Sequence, residues 1–210
     1  MSQLIVFEGL DGSGKTTQIS LLKDFLEQKG QQVISTREPG GTIFGEKCRD
    51  LFLTDGITGV SEAFIAFASR VEHINDVINP ALRNGMWVLC DRFSDSTLAY
   101  QGYGRGVDLN ILNHLVDFIE RKLPSYKTIY MDSHLEGIKK RISNRGTTDK
   151  KFDIETYDFF SRVRNGYEEI MKRKGGEALI INGNKSIDEV FENIVSGVSE
   201  IANLKNKDLY

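Results

Sequence analysis

The chain has 210 residues, 40% of them hydrophobic and 27% charged, and its formal net charge is −3 at pH 7. This length is sufficient for one α/β domain with a substantial core, and the slightly acidic balance argues against general affinity for nucleic acids or anionic membranes. Because the sequence has no signal-peptide pattern, no apolar run of about 18 residues and only two cysteines, Cys48 and Cys90, we expect a cytoplasmic protein with free thiols.

A glycine-rich segment follows the first predicted strand, Leu4 to Phe7, and fits the P-loop pattern G-x-x-x-x-G-K-[ST]. Apolar residues recur at helical spacing after Lys15. Strand, loop and helix together predict a site where backbone amides surround phosphate oxygens, Lys15 reaches the β- and γ-phosphates, and the Thr16 hydroxyl binds Mg²⁺. The predicted ATP-binding residues are Gly9, Leu10, Asp11, Gly12, Ser13, Gly14, Lys15, Thr16 and Thr17.

The second strand is predicted over residues 32–36 and ends at a charged pair, Arg37 and Glu38, followed by Pro39 and two glycines. Open α/β sheets bind ligands beyond the carboxyl ends of their strands, so this pair is a candidate ligand contact. A solvated turn accounts for the same residues equally well.

Two helices are predicted next, over residues 45–53 and 61–82, with Ser61 as the N-cap of the longer one. Apolar side chains recur in that helix at steps of three and four residues, which is typical of a stripe that faces the core. The stripe consists of Phe64, Phe67, Val71, Ile74 and Ile78, and Arg70 lies on a nearby face.

The third strand, residues 87–91, is an apolar run that ends in Asp91, which is the Walker B pattern for a Mg²⁺-binding carboxylate. Arg92 follows directly and is expected at the same edge of the sheet. The next helical turns carry polar side chains within an otherwise apolar sequence, which indicates the lining of a pocket. These side chains are Ser94, Ser96, Thr97, Tyr100 and Gln101.

The remaining chain alternates between predicted helices and strands: helix 109–121, strand 127–132, helix 135–142, helix 155–173, strand 178–182 and helix 186–202. The polar, basic segment around Arg145 contains almost no apolar residues and is a candidate lid over about residues 143–154. The alternation predicts a single α/β domain over residues 1–210, with a five-stranded parallel sheet and helices on both faces.

Three classes of P-loop protein compete at this stage. A switch GTPase requires N-K-x-D and D-x-x-G, but residues 184–187 read N-K-S-I and residues 91–94 read D-R-F-S. A mechanical ATPase is usually larger and needs a partner surface. A small-molecule kinase fits better, since it needs an arginine-rich pocket facing the γ-phosphate, and four separate segments supply Arg37, Arg70, Arg92 and Arg145.

Several motifs, at matching spacing, resemble those of bacterial thymidylate kinases. They are E-G-L-D-G-S-G-K-T-T at residues 8–17, T-R-E-P-G-G-T at 36–42, and D-R-F at 91–93 with Ser96 and A-Y-Q-G at 99–102. The segment at 158–164 resembles the helix that follows the family's lid. The resemblance runs from about residue 3 to the last helix. It implies a P-loop NTPase fold and a homodimer that phosphorylates dTMP to dTDP with ATP and Mg²⁺.

The resemblance also implies roles for individual residues. Lys15, Arg92 and the lid residue Arg145 would stabilise the transferring phosphoryl group, while Arg92 and Arg37 would hold the acceptor phosphate. Asp11 would bind the sugar 3′-hydroxyl, and Tyr100 would exclude a 2′-hydroxyl. Arg70 would hydrogen-bond the thymine edge, and the residues lining the base pocket would be Ser96, Thr97 and Gln101.

The sequence departs from the family's pattern at two places. The phenylalanine that usually stacks on thymine is replaced by Ala66, so that Phe67 or Phe64 would take over its role or stacking would be weaker. The lid has Lys150 and Lys151 where an Asp-Arg pair is common. The second choice of activity is another nucleoside monophosphate kinase or a deoxynucleoside kinase. The third is a GTPase-like switch.

Overall fold

The computed structural model describes residues 3–121, 123–137 and 155–202, apart from the side chains of 200–202. Its strands are β1 (Leu4–Glu8), β2 (Val33–Arg37), β3 (Trp87–Asp91), β4 (Lys127–Asp132) and β5 (Ala178–Asn182). Its α-helices are α1 (Lys15–Gln28), α2 (Ile43–Phe52), α3 (Gly59–His73), α4 (Asn79–Arg83), α5 (Ser94–Thr97), α6 (Leu109–Glu120), α7 (Tyr157–Lys174) and α8 (Ile187–Ala202).

The five strands form one parallel sheet in the order β2-β3-β1-β4-β5. The prediction of a five-stranded parallel sheet is therefore confirmed. β1 lies between β3 and β4, with Phe7 opposite Asp91 on one side and opposite Ile129 on the other. The chain passes from one half of the sheet to the other beside β1, and such a switch point opens a crevice at the carboxyl ends of the strands.

Helices cover both faces of the sheet, as predicted. Leu4 and Val6 face one core, and Ile5 and Phe7 face the other, because successive side chains of a strand point to opposite sides. The first core also contains side chains of α3, α6 and α7, and the second contains side chains of α1 and α8. The central strand is thus buried on both faces, which explains its uninterrupted apolar run.

The single helix predicted over 61–82 is wrong in its details. Helix α3 begins at Gly59, and the cap is Thr58, whose side chain accepts a hydrogen bond from the Ser61 amide at 3.2 Å. A π-helical turn, Ile74–Ile78, separates α3 from α4. Pro80 provides the reason, since it has no amide hydrogen and its ring clashes with the carbonyl four residues earlier.

The predicted core stripe is also only partly buried. Phe67, Ile74 and Ile78 belong to the core, whereas Phe64 and Val71 are 57% and 36% exposed. The predicted helix 135–142 lies mostly outside the described residues, and so does the predicted lid over 143–154. Within the described ranges, no helix is long and apolar enough to cross a membrane.

Candidate active site

The loop between β1 and α1 has the backbone conformation that a phosphate cradle needs. Gly9 has a φ of +139°, and a Cβ on it would lie 2.8 Å from the carbonyl oxygen of Met131. Gly14 has a φ of +100° and precedes α1, whose first amides receive no side-chain cap from any described residue. These amides are free for an anion, because the first turn of a helix has unpaired N–H groups and a positive dipole end.

Lys15 lies inside this loop. Its Nζ donates hydrogen bonds to the carbonyl oxygens of Gly9 and Leu10, both at 3.1 Å, and only 6% of the residue is exposed. Burial lowers the pKa of Lys15, and the charge of Arg92 lowers it further. The ammonium group is therefore held at the loop, where the charge of an anionic ligand would offset the free-energy cost of burying it.

Thr16 and Asp91 come together at the edge between β1 and β3. The Thr16 hydroxyl donates a hydrogen bond to Asp91 Oδ2 at 3.3 Å, and Lys15 Nζ is 3.9 Å from Oδ1. Asp91 Oδ1 is buried and has no hydrogen-bond partner among the described residues. A hydroxyl and a carboxylate with spare acceptor capacity are suitable Mg²⁺ ligands, so these two residues fit the predicted metal role.

Arg92 is the centre of the polar contacts at this edge. Its φ is +71°, in the left-handed region that residues other than glycine rarely adopt and that is often found at functional sites. Its Nη2 is 2.6 Å from Asp11 Oδ1, and its guanidinium lies 4.9 Å from the centre of the Tyr100 ring. Burial alone would raise the pKa of Asp11, but the charges of Arg92 and Lys15 outweigh it and lower the pKa to about 2.

A buried carboxylate, Glu8 at the end of β1, fixes the segment that carries Arg92. It accepts hydrogen bonds from the Phe93 amide at 2.8 Å, the Ser96 hydroxyl at 2.6 Å and the Tyr167 hydroxyl at 2.9 Å. Burial raises the pKa of Glu8 to about 7, and the charge of Asp95 adds to the increase. Glu8 thereby ties the start of α5 to the end of β1.

A cavity that opens to solvent lies beside Arg92. Its lining combines charged, polar and apolar side chains, as is usual in a pocket for a small ligand. The charged members include Asp11, Glu38, Arg49, Arg70 and Arg92; the apolar members are Pro39, Phe52, Leu53, Ala66 and Phe93; the remaining members are Ser96, Thr97, Tyr100 and Gln101.

Arg70 is held in this cavity by a buried network. Its Nε donates to Glu38 Oε2 at 2.6 Å and its Nη2 to Thr97 Oγ1 at 3.1 Å, while Nη1 has no partner among the described residues. Glu38 Oε1 lies 2.8 Å from His73 Nδ1, and His73 Nε2 lies 2.6 Å from Thr36 Oγ1. The guanidinium is therefore fixed, and one of its nitrogens remains available as a donor.

A second, more polar cleft adjoins the first. It is lined by P-loop residues, including Lys15 and Thr16, and by Arg37 and Asp91. Arg49 and Arg92 line both spaces. Two anions bound in these spaces would thus meet at shared guanidinium groups, which is the arrangement needed to transfer a phosphoryl group between them.

The family model for thymidylate kinase matches residues 7–194. The chain belongs to the thymidylate kinase family. Its relatives include the thymidylate kinase of Geotalea daltonii, 39% identical over 198 residues that cover 90% of this chain and 92% of the relative. The thymidylate kinase of Oleidesulfovibrio alaskensis is 40% identical over 206 residues, with coverage of 94% and 97%.

A solved structure supports the same assignment. The crystal structure of thymidylate kinase from Ehrlichia chaffeensis matches with a TM-score of 0.77 and 35% identity, covering 94% of this chain and 98% of that chain. The predicted P-loop NTPase fold of the thymidylate kinase family is thereby confirmed.

The structure brings most of the predicted site residues to the two adjoining spaces, and three of them need separate comment. Phe67 is not among the described residues that line the base cavity; it lies beneath Arg70, with its ring centre 5.2 Å from the guanidinium carbon. Arg37 lines the P-loop cleft, is 50% exposed, and pairs with Glu46 at 2.7 Å. Arg145 lies outside the described residues.

The sequence interpretation missed Arg49, together with its neighbours Phe52 and Leu53. Arg49 lies on α2, and its Nη1 donates to the Pro39 carbonyl at 3.3 Å. A signal was present, because α2 follows the loop after β2 and its sequence places a cation one turn before Phe52. Glu8 and Tyr167 were also missed, since 159 residues separate the partners of their hydrogen bond.

Proposed function

We propose that this protein transfers the γ-phosphoryl group of ATP to dTMP and forms dTDP, a step in the synthesis of dTTP. The observation that supports this most strongly is the pair of adjoining spaces that share Arg92 and Arg49, one of them lined by the P-loop. Membership of the thymidylate kinase family identifies the acceptor.

We propose that the P-loop residues Gly9 to Thr17 bind the ATP phosphates. Lys15 supplies a charge at the β- and γ-phosphates, and the first amides of α1 supply further donors. A Mg²⁺ ion would be held by Thr16 and Asp91, and when bound it neutralises phosphate charge. Lys15 Nζ lies 3.9 Å from the Asp91 carboxylate, so the Lys15 ammonium and the Mg²⁺ ion would both be neutralised in part by Asp91.

For the acceptor we propose that Arg92 and Arg49 hold the phosphate of dTMP, with Arg37 approaching from the donor side. Asp11 and Tyr100, whose hydroxyl donates to Asp11 Oδ2 at 3.1 Å, would contact the deoxyribose. Arg70, Thr97 and Gln101 would surround the base. Ser96 also lines this cavity, although its hydroxyl donates to Glu8. Because Phe52 and Phe93 line the cavity and Phe67 is not among its described lining residues, we propose that stacking would come from Phe52 and Phe93.

The reaction requires no general base, because the nucleophile is a phosphate oxygen that is already anionic at neutral pH. The barrier comes from bringing two polyanions together, and positioned cations lower it by neutralising charge on the transferring group. We propose that the segment 143–154 serves as a lid whose Arg145 adds one such cation and whose closure excludes water.

We further propose that the protein is a homodimer. Three neighbouring helices each expose two apolar side chains, and the spacing of four or seven residues places both on the same face of the helix. These side chains are Phe44 and Leu51 on α2, Val60 and Phe64 on α3, and Ile111 and Phe118 on α6. An apolar area of this kind indicates a protein interface. The test is the molar mass in solution: Phe64→Glu should convert a dimer into a monomer, and a monomeric unaltered protein would contradict the proposal.

We also propose a single kinase domain over residues 1–210 that works in the cytoplasm, without nucleic-acid or membrane partners. The net charge of −3 argues against such partners. The two buried free thiols, Cys48 and Cys90, support the location, since thiols persist in reducing compartments.

The experiment that tests the activity is ADP release with Mg²⁺–ATP and a panel of acceptors. The panel contains dTMP, dUMP, dCMP, dGMP, AMP and thymidine. We expect dTMP to give the highest kcat/KM. Turnover of thymidine but not dTMP would identify a nucleoside kinase instead, and ADP release that does not depend on any acceptor would identify an ATPase.

A further inference from the structure

A buried carboxylate, Glu62 on α3, lies behind the base cavity without lining it. Its side chain has no exposure to solvent. Gln101 donates from Nε2 to Glu62 Oε2 at 2.8 Å. Arg105 provides the counter-charge, with Nη2 at 3.3 Å from Oε1 and Nε at 3.4 Å from Oε2.

This contact fixes the orientation of the Gln101 amide. A carboxylate offers only acceptors, whereas an amide has a donor end and an acceptor end. The NH₂ group of Gln101 must therefore face Glu62, because the reverse orientation would place two oxygens against each other in a buried site. Gln101 lines the cavity, so the group that it can offer a ligand is its carbonyl oxygen Oε1.

The second polar group on this wall has the opposite character. Arg70 can only donate, and Glu38 and Thr97 already hold two of its nitrogens. Its Nη1 is buried and has no partner among the described residues. Arg70 and Gln101 line the same cavity. They can therefore offer one donor and one acceptor to the same ligand.

We propose that Glu62 is a specificity-determining positioning residue: by holding the Gln101 amide, it makes the base cavity complementary to 4-oxo pyrimidines and rejects 4-amino pyrimidines. This inference rests on the proposed function. Thymine presents an acceptor at O4 and a donor at N3–H, which matches Arg70 and Gln101. Cytosine presents the inverse pattern, a 4-amino donor and an N3 acceptor, and would leave two buried pairs unmatched.

The chain provides a matched control in Glu155. This residue is the second carboxylate on Arg105, with Oε1 at 2.6 Å from Nη1. Glu155→Gln removes a charge from the same cluster without removing the acceptor of Gln101. A charge exchange, Glu62→Gln with Gln101→Glu, provides the converse. The amide introduced on α3 can then donate to the carboxylate introduced on the cavity wall, and that carboxylate offers the ligand only acceptors.

The experiment measures kcat/KM for dTMP and dCMP, with ATP, for the unaltered protein and these variants. Glu62→Gln frees the Gln101 amide to turn, so we expect the dTMP-to-dCMP ratio to fall by about 10-fold or more, the effect of one mismatched buried hydrogen bond. Glu155→Gln should leave the ratio unchanged. The charge exchange should restore most of it.

An equal loss on both substrates in Glu62→Gln, with the ratio unchanged, would show a purely structural role and overturn the proposal. So would a Glu155→Gln variant with the same loss of ratio. If Glu62→Gln fails to fold, kcat/KM of the unaltered protein is measured with N3-methyl-dTMP, which lacks the N3–H donor. A much lower kcat/KM than for dTMP supports the proposal, and an equal kcat/KM overturns it. Turnover of no monophosphate at all would instead contradict the proposed function.

Discussion

Replacing Glu38 with glutamine tests the buried network behind Arg70. The side chains of Glu38 and Arg70 are each 2% exposed, and the guanidinium lies between the rings of Phe67 and Phe93, with carbon-to-centre distances of 5.2 and 5.1 Å. Glu38→Gln keeps the volume of the side chain but leaves the Arg70 charge without its counter-charge. Breaking a buried ion pair at one partner costs about 3–5 kcal/mol of unfolding free energy.

The chain offers an exposed pair for comparison. Arg37 and Glu46 are 2.7 Å apart, close to the 2.6 Å of the buried pair, but their side chains are 50% and 48% exposed. Solvent screening reduces such a pair to about 0–1 kcal/mol, so Glu46→Gln should barely change stability. For a domain of this size the expected fall in Tm is roughly 6–20 °C for Glu38→Gln, at about 2–4 °C per kcal/mol.

Urea unfolding followed by circular dichroism measures both variants. Adding Arg70→Met to Glu38→Gln removes the unpaired charge and should recover most of the lost stability. A cost below about 1 kcal/mol for Glu38→Gln, equal to that of the exposed pair, would refute the conclusion that Glu38 neutralises and fixes Arg70.

Lys15→Ala should lower kcat by about 10²-fold or more with Tm nearly unchanged, since Lys15 contacts loop carbonyls and, in the proposed complex, the donor phosphates; near-normal steady-state turnover would contradict the P-loop assignment. Tyr100→Ala should raise kcat/KM for the ribonucleotide relative to dTMP, because Tyr100 lines the cavity and, in the proposed binding mode, its ring lies against the deoxyribose; an unchanged ratio would place sugar selection elsewhere. The pKa of Glu8 is about 7, above its ordinary 4.5, so the folded chain binds the extra proton between these values and Glu8's contribution to stability falls as pH rises. Glu8→Gln should therefore gain stability relative to the unaltered protein between pH 5 and pH 8, by up to about 3 kcal/mol in urea unfolding; a constant difference would exclude this titration.

The sequence was sufficient to predict the sheet and the phosphate site because their signals are local. The strands that end at Glu8 and Asp91 are five residues long, and their apolar residues are buried. The P-loop glycines, Lys15 and Thr16 lie within one short segment. Parallel pairing follows from the alternation of strands and helices. Arg92 could be placed at the ligand edge because it directly follows a strand.

The base cavity could not be predicted to the same depth because its supporting contacts are distant in sequence. Glu38 and Arg70 are 32 residues apart, and Glu62 and Gln101 are 39 apart. Helical periodicity also assigned Phe64 to the core, whereas this face of α3 is exposed in the single chain. The π-helical segment Leu98–Gly104 changes which side chains share a face, and nothing in the sequence marks it.

The most direct test of the phosphoryl-transfer assignment follows the transferred group itself. The protein is mixed with Mg²⁺, dTMP and ATP labelled with ³²P at the γ-position, and the products are separated. The account predicts that the label appears in dTDP, in an amount equal to the ADP formed. It also predicts that without dTMP the label stays in ATP. Label recovered as inorganic phosphate, at the same rate with and without dTMP, would contradict it.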